Sequence, residues 1–179
     1  GDVLIKLNHL NERTSFIDEI IVVNVGSNDR TKEIVVSYPN IKLKNHSRNL
    51  GYGASLKTGI KSAKNEIIVI TDADDTYPIE DISRLVIHLV ENKLDMVVGE
   101  RTGQKVKIPL VRKPAKWLIT KLANYLSGEK IPDLNSGLRV MRKELVNKFI
   151  HILPDGFSFT STITLALLTN GYSVDYIPI

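Results

Sequence analysis

Apolar residues fall along this chain in two rhythms. Unbroken β-branched runs, Ile20-Ile21-Val22-Val23 and Ile67-Ile68-Val69-Ile70, have the pattern of strands buried on both faces. Between them, apolar positions recur every three or four residues, as on the inner stripe of a helix. In chain order the pattern predicts a helix over 2–10, with Val3, Leu4, Leu7 and Leu10 on one face, and a strand over 20–23. A helix over 31–38, opened by the Ser27/Asp29/Thr31 cluster, and a short strand over 41–43 follow. The Gly51-Tyr52-Gly53 turn leads into a helix over 54–63, then come a strand over 67–70, a helix over 82–91 and a strand over 96–98. Beyond residue 103 the character changes. Pro109 and Pro114 bracket a loop, a helix is predicted over 115–126, and 133–139 follows a break at Pro132. Helices over 141–150 and 161–169 and a strand over 172–179 close the chain.

Strands separated by helices of about ten residues imply βαβ units, an α/β class and a mostly parallel sheet. Such sheets bind ligands at the carboxyl ends of their strands. Three polar clusters fall at such ends: 24–29, 72–75 and 99–101. In the middle one, Asp72 and Asp74 stand two apart in extended chain, so their side chains leave on the same side. Neighbouring carboxylates repel unless a cation or a shared proton compensates. A hard divalent ion such as Mg²⁺ or Mn²⁺, completed by phosphate oxygens, is one compensation. The other reading is a turn before Tyr77-Pro78, where Asp is common.

Composition narrows this picture. A chain of 179 residues with 42% hydrophobic and 25% charged residues suits one soluble domain with a substantial core. The absence of cysteine excludes disulfides and thiolate metal sites and fits a cytoplasmic setting. No apolar stretch approaches the roughly 18–20 residues that span a bilayer. The net charge of +4 is uneven: Arg101, Lys105, Lys107, Arg112, Lys113, Lys116, Lys121 and Lys130 face only Glu129 within 101–130. That face suits phosphates, acidic headgroups or nucleic acid, or is simply solvated. Trp117, Leu118, Leu122 and Leu126, flanked by Lys116 and Lys121, are either core or a membrane-surface contact.

Six segments in order carry a family resemblance: 22–31 (Val22-Val23-Asn24-Val25-Gly26-Ser27-Asn28-Asp29-Arg30-Thr31), 49–54 (Asn49-Leu50-Gly51-Tyr52-Gly53-Ala54), Asp72-Ala73-Asp74, 95–101, 133–139 and 156–159. Together they resemble family 2 glycosyltransferases of the GT-A fold, and within them the polyprenol-phosphate (dolichyl-phosphate) sugar transferases. The resemblance implies a three-layer αβα domain over 1–179 that transfers a sugar, with inversion, from a GDP-mannose- or UDP-glucose-type donor to a polyprenyl phosphate. It assigns Asn24, Gly26, Ser27, Asp29, Gly51, Gly53, Asp72, Ala73 and Asp74 to the donor. Asp74 and then Asp72 become ligands of Mg²⁺ or Mn²⁺. Arg101, Ser136 and Arg139 become holders of acceptor phosphate, and Asp133 joins Arg139 as a catalytic candidate. It also implies work at the cytoplasmic face of a membrane, with contact through 105–126, and no nucleic-acid partner.

Alternatives attach to several residues. Arg139 could instead pair with Asp133, and Arg101 with Glu100 or another surface acid. Gly51 and Gly53 serve either a tight turn or close approach to a ligand. The family's usual acidic pair is Asn24-Val25 here, and the resemblance begins at the helix after the family's opening strand. The chain is therefore expected to lack that strand and any following membrane helices. Two rival readings follow: a degenerate domain that keeps the fold without turnover, and a phosphatase. For the latter, Asp72-Ala73-Asp74-Asp75-Thr76 fits D-x-D-x-T with Asp72 as nucleophile and Asp74 as acid/base. No second acidic pair of the kind that chemistry needs follows residue 75.

Overall fold

The computed structural model describes residues 2–102, 121, 123–126 and 128–179. It opens with α1 (Asp2–Thr14), followed by β1 (Ile20–Asn24), α2 (Thr31–Val36), β2 (Ile41–Asn45), α3 (Tyr52–Ser62) and β3 (Ile67–Ile70). Then come α4 (Asp81–Glu91), β4 (Met96–Glu100), β5 (Arg139–Arg142), α5 (Lys143–Phe149), α6 (Phe159–Thr169) and β6 (Val174–Pro178). The predicted helix over 115–126 lies mostly outside the described residues; Lys121 and 123–126 are helical.

The strands form a parallel pair, β1–β2, and a four-stranded sheet in the order β3-β5-β4-β6. In the larger sheet β3, β4 and β6 share one direction, and β5 runs against both of its neighbours. Alternation along these strands builds the layers. Ile68, Ile70, Met96, Val98 and Met141 point toward α3, α5 and α6, where Ile60, Val146, Phe159 and Leu167 meet them. Val97 and Val140 point the other way, onto Val3 of α1 and Ile82, Leu85 and Leu89 of α4. The sandwich of helices, sheet and helices is the αβα arrangement that the family resemblance implies, and its largely parallel strands agree with the βαβ units read from the alternating pattern.

One element departs from expectation. Met141 and Arg142, predicted to open a helix, belong to β5, and the helix begins at Lys143. Val140 and Met141 are fully buried on opposite faces and pair with β3 on one side and β4 on the other. Two ladders of backbone hydrogen bonds outweigh a helical preference that four residues express only weakly. The consequence is functional. Because β5 is antiparallel, its first residue, Arg139, pairs with Ile70 at the carboxyl end of β3 and with Val98 in the middle of β4. The loop over 133–138 is thereby delivered to the edge where 71–76 and Arg101 emerge.

Candidate functional site

Asp72 is the centre of this edge. Its carboxylate is half-buried, accepts a hydrogen bond from the Tyr52 hydroxyl at Oδ1 (3.1 Å), and lies with Oδ2 against Gly137. A Cβ on Gly137 would stand 2.6 Å from that oxygen and 3.0 Å from the Tyr77 ring, so only glycine fits without displacing them. The Gly137 N–H donates to the buried Tyr77 hydroxyl at 2.6 Å, which fixes the wall behind Asp72. Burial pushes the Asp72 carboxyl up and the nearby Asp74 adds to this; the Tyr52 hydroxyl and the Arg101 charge oppose. Burial also raises the Tyr52 phenol, as does the neighbouring Asp72 charge. A cleft of about 210 Å³ opens here, lined by Tyr52, Asp72, Asn135, Gly137, Phe157 and Thr160.

Asp74 is exposed two residues on; its Oδ1 accepts from the Thr76 N–H (3.0 Å), and its side-chain and backbone interactions with Thr76 hold its carboxyl below the usual range. Exposed Ala73 joins the two acids through a bend. Asp75 is taken out of play: it adopts positive φ (62°) and pairs with Lys6 of α1 at 2.5 Å. Among the described residues neither Asp72 nor Asp74 forms an ion pair. Two hard oxygen donors without a cationic partner suit a divalent ion whose remaining ligands come from phosphate.

Across the cleft edge Arg101 forms a two-pronged pair with Asp133, Nε at 2.7 Å and Nη2 at 2.9 Å. Asp133 also accepts from the N–H groups of Arg101 (3.4 Å) and Asn135 (3.2 Å). Burial works against its charge, yet the guanidinium prevails and holds the carboxyl below its ordinary value. A carboxylate with four donors and a lowered pKa is a poor proton acceptor. In the structure Asp133, expected as a catalytic candidate, is engaged by Arg101. Arg101 pairs with it rather than with Glu100, and its Nη1 makes no hydrogen bond to the described residues.

Arg139 requires a correction. It is fully buried, donating from Nε to the Ser136 carbonyl (2.7 Å), from Nη1 to Thr164 Oγ1 (2.6 Å) and from Nη2 to the Leu134 carbonyl (2.9 Å). The cause is register: two residues before Met141 on β5, its side chain leaves toward α6 and not toward solvent. Burial lowers it to about 10. So placed, it meets neither an acceptor phosphate nor Asp133 and instead braces the loop over 134–136. Ser136 is equally buried, with no hydrogen bond to its hydroxyl, and presents no surface to a phosphate.

The loop after β1 stands apart. Buried Asn24 spends its carboxamide within the chain, donating to Asn45 Oδ1 (3.2 Å) and accepting from the Ser27 N–H (3.1 Å). Gly26 turns at φ 82° beside the Arg48 backbone, and Asp29 accepts from the Thr31 N–H (3.0 Å) at the start of α2. Among the described residues no hydrogen bond or ion pair joins 24–29 to Asp72 or Asp74. Gly51 and Gly53 face neither ligand alternative simply: a Cβ at either would overlap the carbonyl oxygen of Asp155 or Pro154. At Gly53 the need for glycine comes from the chain's own 154–156 loop, and at Gly51 it comes both from that loop and from the turn itself, whose φ of 104° is left-handed. Tyr52, Tyr77, Gly137 and Phe157 went unassigned from sequence, although Tyr52, Gly137 and Phe157 lie inside the quoted motifs.

A model of glycosyl transferase family 2 matches residues 3–150. The dolichyl-phosphate hexose transferase of Haloferax volcanii is 27% identical over the whole chain, which spans 75% of that protein. The bactoprenol glucosyl transferase of Shigella phage SfX is 33% identical over 76% of the chain, which spans 45% of it. The glucosyl-3-phosphoglycerate synthase of Mycobacterium tuberculosis, solved with Mn²⁺, uridine diphosphate and phosphoglyceric acid, matches 98% of the chain with a TM-score of 0.74 at 17% identity. The chain spans 62% of that synthase.

Proposed function

The chain belongs to glycosyl transferase family 2, and from that premise we propose that it moves a hexose from a nucleoside diphosphate sugar to a polyprenyl phosphate. The GT-A fold of its structural neighbours agrees with the sequence family. The names of the H. volcanii and phage relatives support the acceptor class. The observation that carries the reading is the meeting of Asp72, Asp74 and Arg101 at one sheet edge: two carboxylates that form no ion pair among the described residues, beside a guanidinium whose Nη1 makes no hydrogen bond to the described residues.

In this reading an acceptor phosphate oxygen attacks the anomeric carbon. A new carbon–oxygen bond forms on the face of that carbon opposite the diphosphate, the bond from the carbon to the diphosphate oxygen breaks, and its electron pair leaves with the nucleoside diphosphate. The attacking phosphate is already ionised, so no general base is required, in keeping with the commitment of Asp133 to Arg101. Arg101 Nη1 is assigned to the acceptor phosphate as a charge-assisted donor. Asp72 and Asp74 are assigned to a divalent ion, which when bound neutralises charge on the departing diphosphate. Exposed Ser27 and Asp29 are assigned to the donor nucleoside, and Asn24 to shaping the loop that carries them.

Calorimetric titration of UDP-glucose and GDP-mannose in the presence of Mn²⁺, followed by transfer to a short-chain polyprenyl phosphate, tests this. Binding heat with one donor and a sugar-phosphate lipid product are expected. No heat with either, from a chain folded by circular dichroism, would overturn the reading in favour of a domain without turnover.

A further inference from the structure

Asp72 is held by a short chain of contacts that ends outside the core. Its side chain takes one hydrogen bond from the described residues, from Tyr52. The Tyr52 ring in turn lies nearly parallel to Phe157, with centroids 5.6 Å apart and planes inclined by 13°. Phe157 is 85% exposed, so burial in the core does not account for its position. What holds it near Tyr52 is the attachment of its loop to the start of α3. The Ala54 N–H donates to the Asp155 carbonyl at 3.1 Å, Lys57 pairs with the Asp155 carboxylate at 2.7 Å, and Gly51 and Gly53 allow the two backbones to close up.

We infer that Tyr52 is a positioning residue for the Asp72 carboxylate and that Phe157 acts through Tyr52 as its clamp. The inference rests on the assignment of Asp72 to a divalent cation. A carboxylate that turns freely loses orientation toward a metal, and the partner of its other oxygen supplies that orientation. Tyr52 does so at Oδ1, while Gly137 leaves Oδ2 no room to swing backward. Phe157 restricts the tilt of the Tyr52 ring through offset stacking.

The test is Mn²⁺ uptake by the full chain, with UDP or GDP present, read by calorimetry on the unaltered protein, Tyr52→Phe, Phe157→Ala, Phe157→Tyr and the double variant Tyr52→Phe/Phe157→Ala. Tyr52→Phe should weaken Mn²⁺ binding about tenfold, and Phe157→Ala roughly two- to tenfold. Phe157→Tyr should restore it. The double variant should match Tyr52→Phe alone, because Phe157 has nothing left to act through. Since Phe157 is exposed, its substitution should leave the melting temperature nearly unchanged, separating a lost clamp from a lost fold. Unaltered Mn²⁺ affinity in Phe157→Ala, or additive losses in the double variant, would overturn the relay and leave the metal assignment standing. Failure of the unaltered chain to take up Mn²⁺ with either nucleotide would overturn both.

Discussion

At the residue scale, Asp72 is half withdrawn from water, and among the described residues it has one hydroxyl donor and no cation bonded to it. A carboxylate in that position is costly to the folded chain until a counter-charge arrives. Asp72→Asn keeps the shape and can still accept from Tyr52, and it removes the charge. We expect it to raise stability at pH 7 by at most about 1 kcal/mol, seen as a thermal melt roughly 2–4 °C higher. The same variant should reduce sugar transfer by at least about 100-fold. A melt that falls instead would show that the charge is compensated in the resting protein. This trade is common where a site is built for a ligand that the fold alone does not satisfy.

At the element scale, α3 and the 154–156 loop are pressed together more closely than any side chain permits at Gly53. Gly53→Ala should cost about 1–3 kcal/mol, because the obstacle is a backbone carbonyl that cannot rotate away as a side chain would. Gly156→Ala, in the same loop but with open space at its Cβ position, should change stability by less than about 0.5 kcal/mol. Urea melts of the two variants check the contrast. The sequence showed a glycine-rich turn here and left open whether it served the turn or a ligand. Three-dimensional packing supplied a third answer, since nothing near residue 53 in the chain announces Pro154.

At the scale of the whole molecule, the antiparallel β5 gathers Asp133, Gly137 and Arg139 to the edge of the parallel strands, and the Arg101–Asp133 pair ties the end of β4 to that loop. Asp133 is depressed in the folded chain, so its stabilising effect is fully present above its unfolded value of about 3.8 and disappears as pH falls through the lower folded value. Asp133→Asn should therefore cost about 1.5–3 kcal/mol at any pH from 5 to 8. The difference from the unaltered chain should shrink only below pH 3.8, as followed by denaturant melts across that range. A gap that closes already near pH 5 would contradict the pairing. The α/β class, the succession of helices and strands as far as β4 and the carboxylate pair after β3 were determined by the chain itself, because alternation, helical spacing and short-range turns are local properties; β5, held by two ladders to distant strands, was not. The fates of Asp133, Ser136 and Arg139 were decided only by tertiary structure. A side chain's face depends on the register its strand finds against neighbours 40 to 70 residues away, and that register turned Arg139 inward to brace a loop and left Arg101 at the cleft.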